Sequence, residues 1–493
     1  MALTYKGDMA YLPQEIFQMI IQHLEPVDLV RCRRVSSSWY RAFTNPVSLA
    51  QVLKVTFPLA KEVRELVGQI KGPIPYDTIY NDPPEKWRLI FDRVTERYYR
   101  LTNGIPRSVQ TIDFQDTRTA PGEDGYFSVP HWNSHSSHPG SFIDMLFEPV
   151  FWTYNEGLVV YPDERGRCLM LLDVETEEQF MVPFVTIDKV IRRMRLHDRL
   201  LVIEWAESET FHWLNDQDSV HRHFATSFEV NAVGRGWDIV FRNEWKIMFL
   251  GHPLGERDRF FSCHSRSHYA IYTWQPNRSL YTADEDAPIE SLSIWDISAA
   301  SGYRPSQDPT GRPKDNGPRQ VASFAFRDLE FYSVRQRGLP AIMRMDIDSD
   351  SNSISITEVR DNAHMDFNVL EYAPWTRIIT IPFIGQGPAW QREVQTRMEI
   401  APWTVTKPWP CYCAICESID EKAQVSFCIS YASSKVQAGF DKTLLLLTIH
   451  TPHGIRTLPQ EFSQQLSYTG KICGDERFVI GENDLNQLVV MKF

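Results

Sequence analysis

At 493 residues, with 43% hydrophobic and 23% charged side chains, the chain has the composition of a folded protein of two or three domains, not of a disordered one. Its formal net charge of −12 argues against nucleic acid as the main partner, because an acidic surface repels phosphate backbones. Apolar runs such as Leu444–Leu447 fall far short of the ~20 residues of a membrane helix, the opening MALTYKGDMAYLPQE is no secretory signal, and eight cysteines, three of them crowded at 411–416, make no disulfide framework.

Residues 10–50 read as three short helices. Pro13 suits the first turn of the first helix. Ile16, Ile20 and Leu24 recur every four residues with Phe17 and Ile21 beside them, which makes a broad apolar face. Asp28 is expected to cap the second helix and Ser36 the third, with Val35 and Tyr40 as a hydrophobic staple across that cap. Asn45-Pro46 ends the third helix. Residues 51–107 are expected to form a helical linker. Its clearest element spans 84–102, where Trp87, Ile90, Phe91, Val94, Tyr98 and Leu101 form a stripe and Asn103-Gly104 is a stop. This stripe is expected to pack on the body that follows and to act as a rigid spacer.

From residue 108 the period changes to strands of five to eight residues separated by turns. Phe142–Phe147, Leu158–Tyr161, Leu169–Val174, Leu200–Trp205, Asp238–Phe241, Ile247–Leu250, His268–Trp274, Ser291–Ile297, Ile354–Val359, Arg377–Pro382, Lys442–Ile449 and Leu488–Phe493 all read this way. The 14 Trp, 19 Tyr and 28 Phe fit a β-rich body. The fold class is therefore mainly β with a small N-terminal α module, and 108–493 is expected to be a β-propeller. At ~40–50 residues per blade it would hold roughly seven or eight blades. Trp295-Asp296 and Leu172-Asp173 resemble blade ends, and the last strand is placed to zip the ring shut.

Residues 12–39 read Leu12-Pro13-x-Glu15-Ile16-x3-Ile20-x3-Leu24-x3-Asp28-Leu29-x5-Val35-Ser36-x2-Trp39. This order and spacing resembles the F-box family. The resemblance implies a three-helix module that docks on a Skp-type adaptor and, through it, on a cullin. It places Leu12, Pro13, Ile16, Ile20 and Leu29 at or near the adaptor surface. The tail departs from the pattern, with Leu49-Ala50 where many members carry Leu-Trp. The layout of the rest resembles fungal F-box proteins with propeller-like C-terminal regions. The resemblance thus implies a non-catalytic substrate-recognition subunit of a ubiquitin ligase, with an unknown target protein, no cofactor and no membrane or nucleic-acid partner, working in the cytosol and/or nucleus. The alternative is an F-box scaffold outside the ligase. Physical chemistry agrees on one point independently: so short a helical unit buries too little surface to stand alone, so its surplus apolar residues must be covered.

Other motifs carry less. Cys411, Cys413, Cys416 and Cys428 have crowded spacing for a zinc tetrahedron and read as small core residues. His131, His135 and His138 sit in a Ser- and Gly-rich loop. Asp346-x-Asp348-x-Asp350-x-Asn352 lacks the Gly and Glu of a calcium loop and reads as an acidic hairpin turn. Arg31, Arg33, Arg34 and Arg41 read as a solvated basic face. Gly385-x-Gly387 lacks the third glycine of a dinucleotide site, and no P-loop, G-x-S-x-G or H-E-x-x-H is present.

Overall fold

The computed structural model describes residues 9–67, 79, 83–113, 152–163, 168–213, 219–253, 259–275, 288–308, 317–336, 342–360, 375–383, 397–400, 412–435, 441–452, 454–466, 472–483, 485 and 487–493. Among the described residues six α-helices come first: α1 (Gln14–Ile21), α2 (Pro26–Cys32), α3 (Ser37–Phe43), α4 (Pro46–Thr56), α5 (Lys61–Val67) and α6 (Pro84–Asn103).

The cap chemistry is partly as expected. The Ser36 hydroxyl accepts from Trp39 N at 3.2 Å, and the Asn45 side chain accepts from Val47 N and Ser48 N to start α4. Asp28 does not cap α2. That helix starts earlier, with Pro26 at its first position, so Asp28 lies inside the first turn and pairs with Arg31 at 2.9 Å. Val35 and Tyr40 are both exposed and make no staple. Helix α6 ends as its sequence predicts, on Gly104 in the left-handed region at φ 67°. A Cβ there would also meet the Thr457 carbonyl oxygen at 3.2 Å. Gly104→Ala is therefore expected to cost about 1–2 kcal/mol through the left-handed backbone alone, read as a lower midpoint in urea unfolding.

Helices α1 to α6 share one core. Phe17, Ile21, Leu29, Phe43, Val47, Leu49, Ala50, Leu53, Phe57, Val63, Trp87, Phe91, Val94 and Tyr98 are buried together. No gap in packing falls after residue 50. Leu49 and Ala50, at the departure from the family pattern, are both interior.

The β region is a six-bladed propeller of antiparallel sheets. Five blades are continuous in sequence. They start at β2 (Thr153–Asn155), β6 (Lys189–His197), β11 (Arg259–His264), β15 (Ile342–Asp348) and β19 (Tyr412–Asp420). The sixth joins β23 (Cys473–Asp475), β24 (Phe478–Glu482) and β25 (Gln487–Lys492) to the first strand of the region, β1 (Ser108–Asp113). Its register runs from Ser108 opposite Lys492 to Asp113 opposite Gln487. The first strand of each blade lines the centre of the ring: β2 touches β6 and β23, β11 touches β15, and β19 touches β23. The described apolar cores lie between neighbouring blades. One holds Trp152, Leu171, Ile203, Phe228, Ile480 and Val490 from the first, second and sixth. Another holds Tyr272, Ile294, Ile356 and Ile381 from the third and fourth.

The blade number corrects the estimate of seven or eight. The blades are longer than a ~40–50-residue repeat, because strands and connections are long. Asp238–Phe241 and Ile247–Leu250, read as two strands, belong to one strand, β10 (Gly236–Pro253), that runs through three register shifts against β9 (Ser219–Val233). β9 itself escaped the sequence reading. It buries His221, His223, Thr226 and Ser227, so its apolar alternation is broken. Trp295-Asp296 and Leu172-Asp173 close the third strand of their blades, with one strand still to follow. The segment Phe142–Phe147 lies outside the described residues.

Candidate functional site: an outward apolar face and its seat on the propeller

Helix α1 is apolar around most of its circumference. Phe17 and Ile21 point into the core, and Ile16, Met19 and Ile20 lie on other sides. Ile16 is 47% exposed and Met19 66% exposed, and Tyr11 just before the helix is 73% exposed. Pro13 is exposed, while Leu12 and Ile20 are half-buried. Leu29, expected at or near the adaptor surface, is not itself exposed. It is 1% exposed, because α2 turns it into the core beneath α6, so it supports the face from below. Tyr11 and Met19 were missed by motif reading. For Met19 the signal was present, since a helix apolar around most of its circumference needs cover on more than one side.

The basic run is not uniformly solvated. Arg33 is buried. It donates to the Phe43 carbonyl at 3.2 Å and to Asp92, and its guanidinium lies 5.3 Å from the centre of the Phe91 ring. It therefore ties α2 and α3 to α6. Arg31, Arg34 and Arg41 are exposed.

Helix α6 divides its stripe between two bodies. Trp87, Phe91, Val94 and Tyr98 pack in the helical core, Tyr98 also reaching the propeller through its hydroxyl, and Leu101 packs in an apolar cluster with propeller residues, among them Val479, Val489 and Met491. The expectation that the whole stripe lies on the β body is thus corrected. The helix belongs mainly to the N-terminal module and seats it by its last turns. Arg456 Nε donates to the Thr102 carbonyl at 3.0 Å, and Arg93 faces Glu175 at 3.8 Å.

The seat has a buried polar centre. Glu476, in the turn between β23 and β24, is 1% exposed on its side chain. It accepts from the Tyr98 hydroxyl at 2.5 Å and from the Lys61 backbone N–H at 2.6 Å. Arg97 lies 3.9 Å from it and 2.5 Å from Glu62. Burial pushes the Glu476 carboxyl up, more than Arg97 and Tyr98 hold it down. Burial works the same way on Glu62, but Arg97 outweighs it and holds that carboxyl below its usual range. Burial and the Glu476 charge together raise the Tyr98 hydroxyl well above a normal phenol, so it stays a donor.

These contacts fix which propeller face carries the module. Glu476 lies in a first-to-second-strand turn, and Glu175 lies in the third-to-fourth-strand turn of its blade. Such turns share one face of a propeller, and the second-to-third connections and the links between blades share the other. On that far face, Val185, Ile187, Phe211 and Trp213 are exposed on two connections, Trp213 in a short strand His212–Trp213 paired with β9, and the two are joined by a Ser208 N–H to Asp188 carbonyl bond of 3.1 Å.

No group of three or more metal-ligating side chains converges among the described residues. Cys428 is buried, and Cys411, His131, His135, His138, Gly385 and Gly387 lie outside the described residues. The acidic repeat is a hairpin turn between β15 and β16 (Ser353–Arg360). The Asp348 carboxylate accepts there from Asp350 N, Ser351 N and the Ser351 hydroxyl. Among the described residues, no helix is long and apolar enough to cross a membrane.

The chain thus sets a helical module with an exposed apolar face on a six-bladed ring. The F-box-like family model matches residues 9–52, so the chain carries an F-box-like domain in its helical module, followed by a propeller body. No curated protein sequence matches the chain. Three solved structures align over long spans. The β-propeller domain of the Trilobed protease from Pyrococcus furiosus shares 10% identity over 68% of this chain and 74% of its own, with a TM-score of 0.27. α-L-arabinofuranosidase from Lactobacillus brevis shares 8% over 66% and 92%, at 0.25. A glucose dehydrogenase shares 10% over 78% and 99%, at 0.28. Scores this low carry no argument about function.

Proposed function

We propose that this chain is the substrate-recognition subunit of a Skp-cullin-F-box ubiquitin ligase, working in the cytosol or nucleus and catalysing no step itself. The observation that carries this reading is the outward apolar face of Tyr11, Pro13, Ile16 and Met19 on the module that matches the F-box-like family. An adaptor would cover that face. The propeller is the part large enough to offer a target the ~800 Å² per partner that a stable interface uses. Its far face, with Val185, Ile187, Phe211 and Trp213 exposed, is turned away from the module.

The test uses surface substitutions in the full chain. Deleting residues 1–50 would strip the cover from Trp87, Phe91 and Val94 and confuse lost docking with lost folding. Ile16→Asp with Met19→Asp should instead abolish capture of a Skp-type adaptor and of the cullin, with the melting curve unchanged. Leu12→Ala with Pro13→Ala should weaken capture in the same direction, with some loss of stability because Leu12 touches the core. Normal capture by the double aspartate variant would sink the docking reading. Capture of adaptor without cullin by the wild-type chain would favour the scaffold alternative.

A further inference from the structure

We propose that Glu476 is a positioning residue, the latch that holds the F-box module at one angle on the propeller. The proposal rests on the receptor reading only for its consequence, since a ligase receptor must hold adaptor and target at a fixed spacing.

The geometry is specific to this carboxylate. One oxygen takes the Lys61 N–H at the head of α5, and the other takes the Tyr98 hydroxyl from α6. Arg97 supplies the balancing charge and holds Glu62 of α5 in the same cluster. The Glu476 N–H is itself fixed by Asp420 of the neighbouring blade at 3.3 Å, and Arg477 beside it pairs with Asp475 at 2.8 Å. Two helices of the module therefore meet at this side chain, and the backbone of the same residue ties its blade to the next.

The other described links across this seam are weaker constraints. Arg93–Glu175 is 3.8 Å long between side chains that are more than half exposed, where screening leaves little energy. The Leu101 contact is apolar and does not select an angle. The Arg456 to Thr102 carbonyl bond is directional but exposed, and among the described residues only the Glu476 cluster joins buried, charge-assisted, directional bonds across the seam. It also sits in the blade closed by β1, the strand that follows α6 directly.

The test compares wild type, Glu476→Gln and Glu476→Ala in the full chain. In Glu476→Ala, amide exchange of Lys61–Val67 and of the last turns of α6 should rise by about tenfold or more, the scale set by losing a hydrogen bond to a buried charge. Exchange in α1 to α3 and adaptor capture should stay at wild-type levels. Spin labels carried by non-natural residues at the exposed positions Gln22 and Glu178 should show one narrow distance in wild type and a broad distribution in Glu476→Ala. Glu476→Gln keeps an acceptor for one donor but not for both, so it should fall between the two. A narrow, unshifted distance in Glu476→Ala would overturn the latch. So would exchange that rises equally through α1 to α3 or through β24 and β25, because Glu476 would then serve general stability. Failure of the receptor reading would show separately, as a wild-type chain that captures no adaptor while the distance still broadens in Glu476→Ala.

Discussion

Removing Leu488–Phe493 is expected to unfold the propeller, not to fray its end. Strand β25 lies between β1 and β24, so its loss cuts the ring at both neighbours. Leu488, Val489, Val490 and Met491 are all 0% exposed and fill the cores on both sides of the closing blade. At about 1.5–3 kcal/mol for each buried side chain, the loss is on the order of 6–12 kcal/mol. A whole domain is stable by only about 5–15 kcal/mol. The truncated chain should therefore be insoluble or lose its cooperative β transition in a thermal melt followed by circular dichroism. A truncated chain that melts as the full chain does would show that the ring does not depend on this closure. Val490→Asp, which keeps the strand and buries one charge, should lower the same transition by a smaller amount.

The second large effect is expected from Trp87→Ser with Phe91→Ser. As a rigid spacer lying on the propeller, α6 would tolerate this change with looser geometry and intact docking. In the folded chain these rings are instead 1% and 0% exposed inside the F-box core, beside Leu29, Phe43 and Leu53. Truncating a buried Phe or Trp costs about 3–5 kcal/mol each, and a small helical module has little reserve. The variant should lose adaptor capture completely, and limited proteolysis should cut within residues 9–67 while the propeller resists. Arg33 should become vulnerable in the same way, because its guanidinium loses the Phe91 ring. Wild-type capture by the double serine variant would place the stripe outside the F-box core.

Much of the fold was legible because short-range rules govern it. The leucine–proline start of α1, the Ser36 cap, the Gly104 stop and the β period after residue 108 each follow from a few adjacent residues. The closing strand was legible too, since an apolar run ending at Phe493 needs a partner on each edge. The F-box motif was readable because unlike residue types recur there at fixed spacing.

Other features required the tertiary structure. Periodicity marked α6 as amphipathic, but an apolar stripe has no address. Packing assigned Trp87 to the F-box core and Leu101 to the propeller. Leu29 and Ile16 are equivalent in the motif, yet one is interior and the other exposed, because helix orientation decides which apolar face a neighbour covers. Blade number was out of reach because β9 buries histidines and hydroxyls, which bond within β9 and to the strands beside it and break its apolar alternation, and because register shifts let β10 continue through polar residues. Glu476 illustrates the same limit. Nothing adjacent to it in sequence marks it, and its partners Lys61 and Tyr98 are 415 and 378 residues away. Hydrogen bonds and burial of this kind depend on distances in space, and only the closed ring brings those groups together.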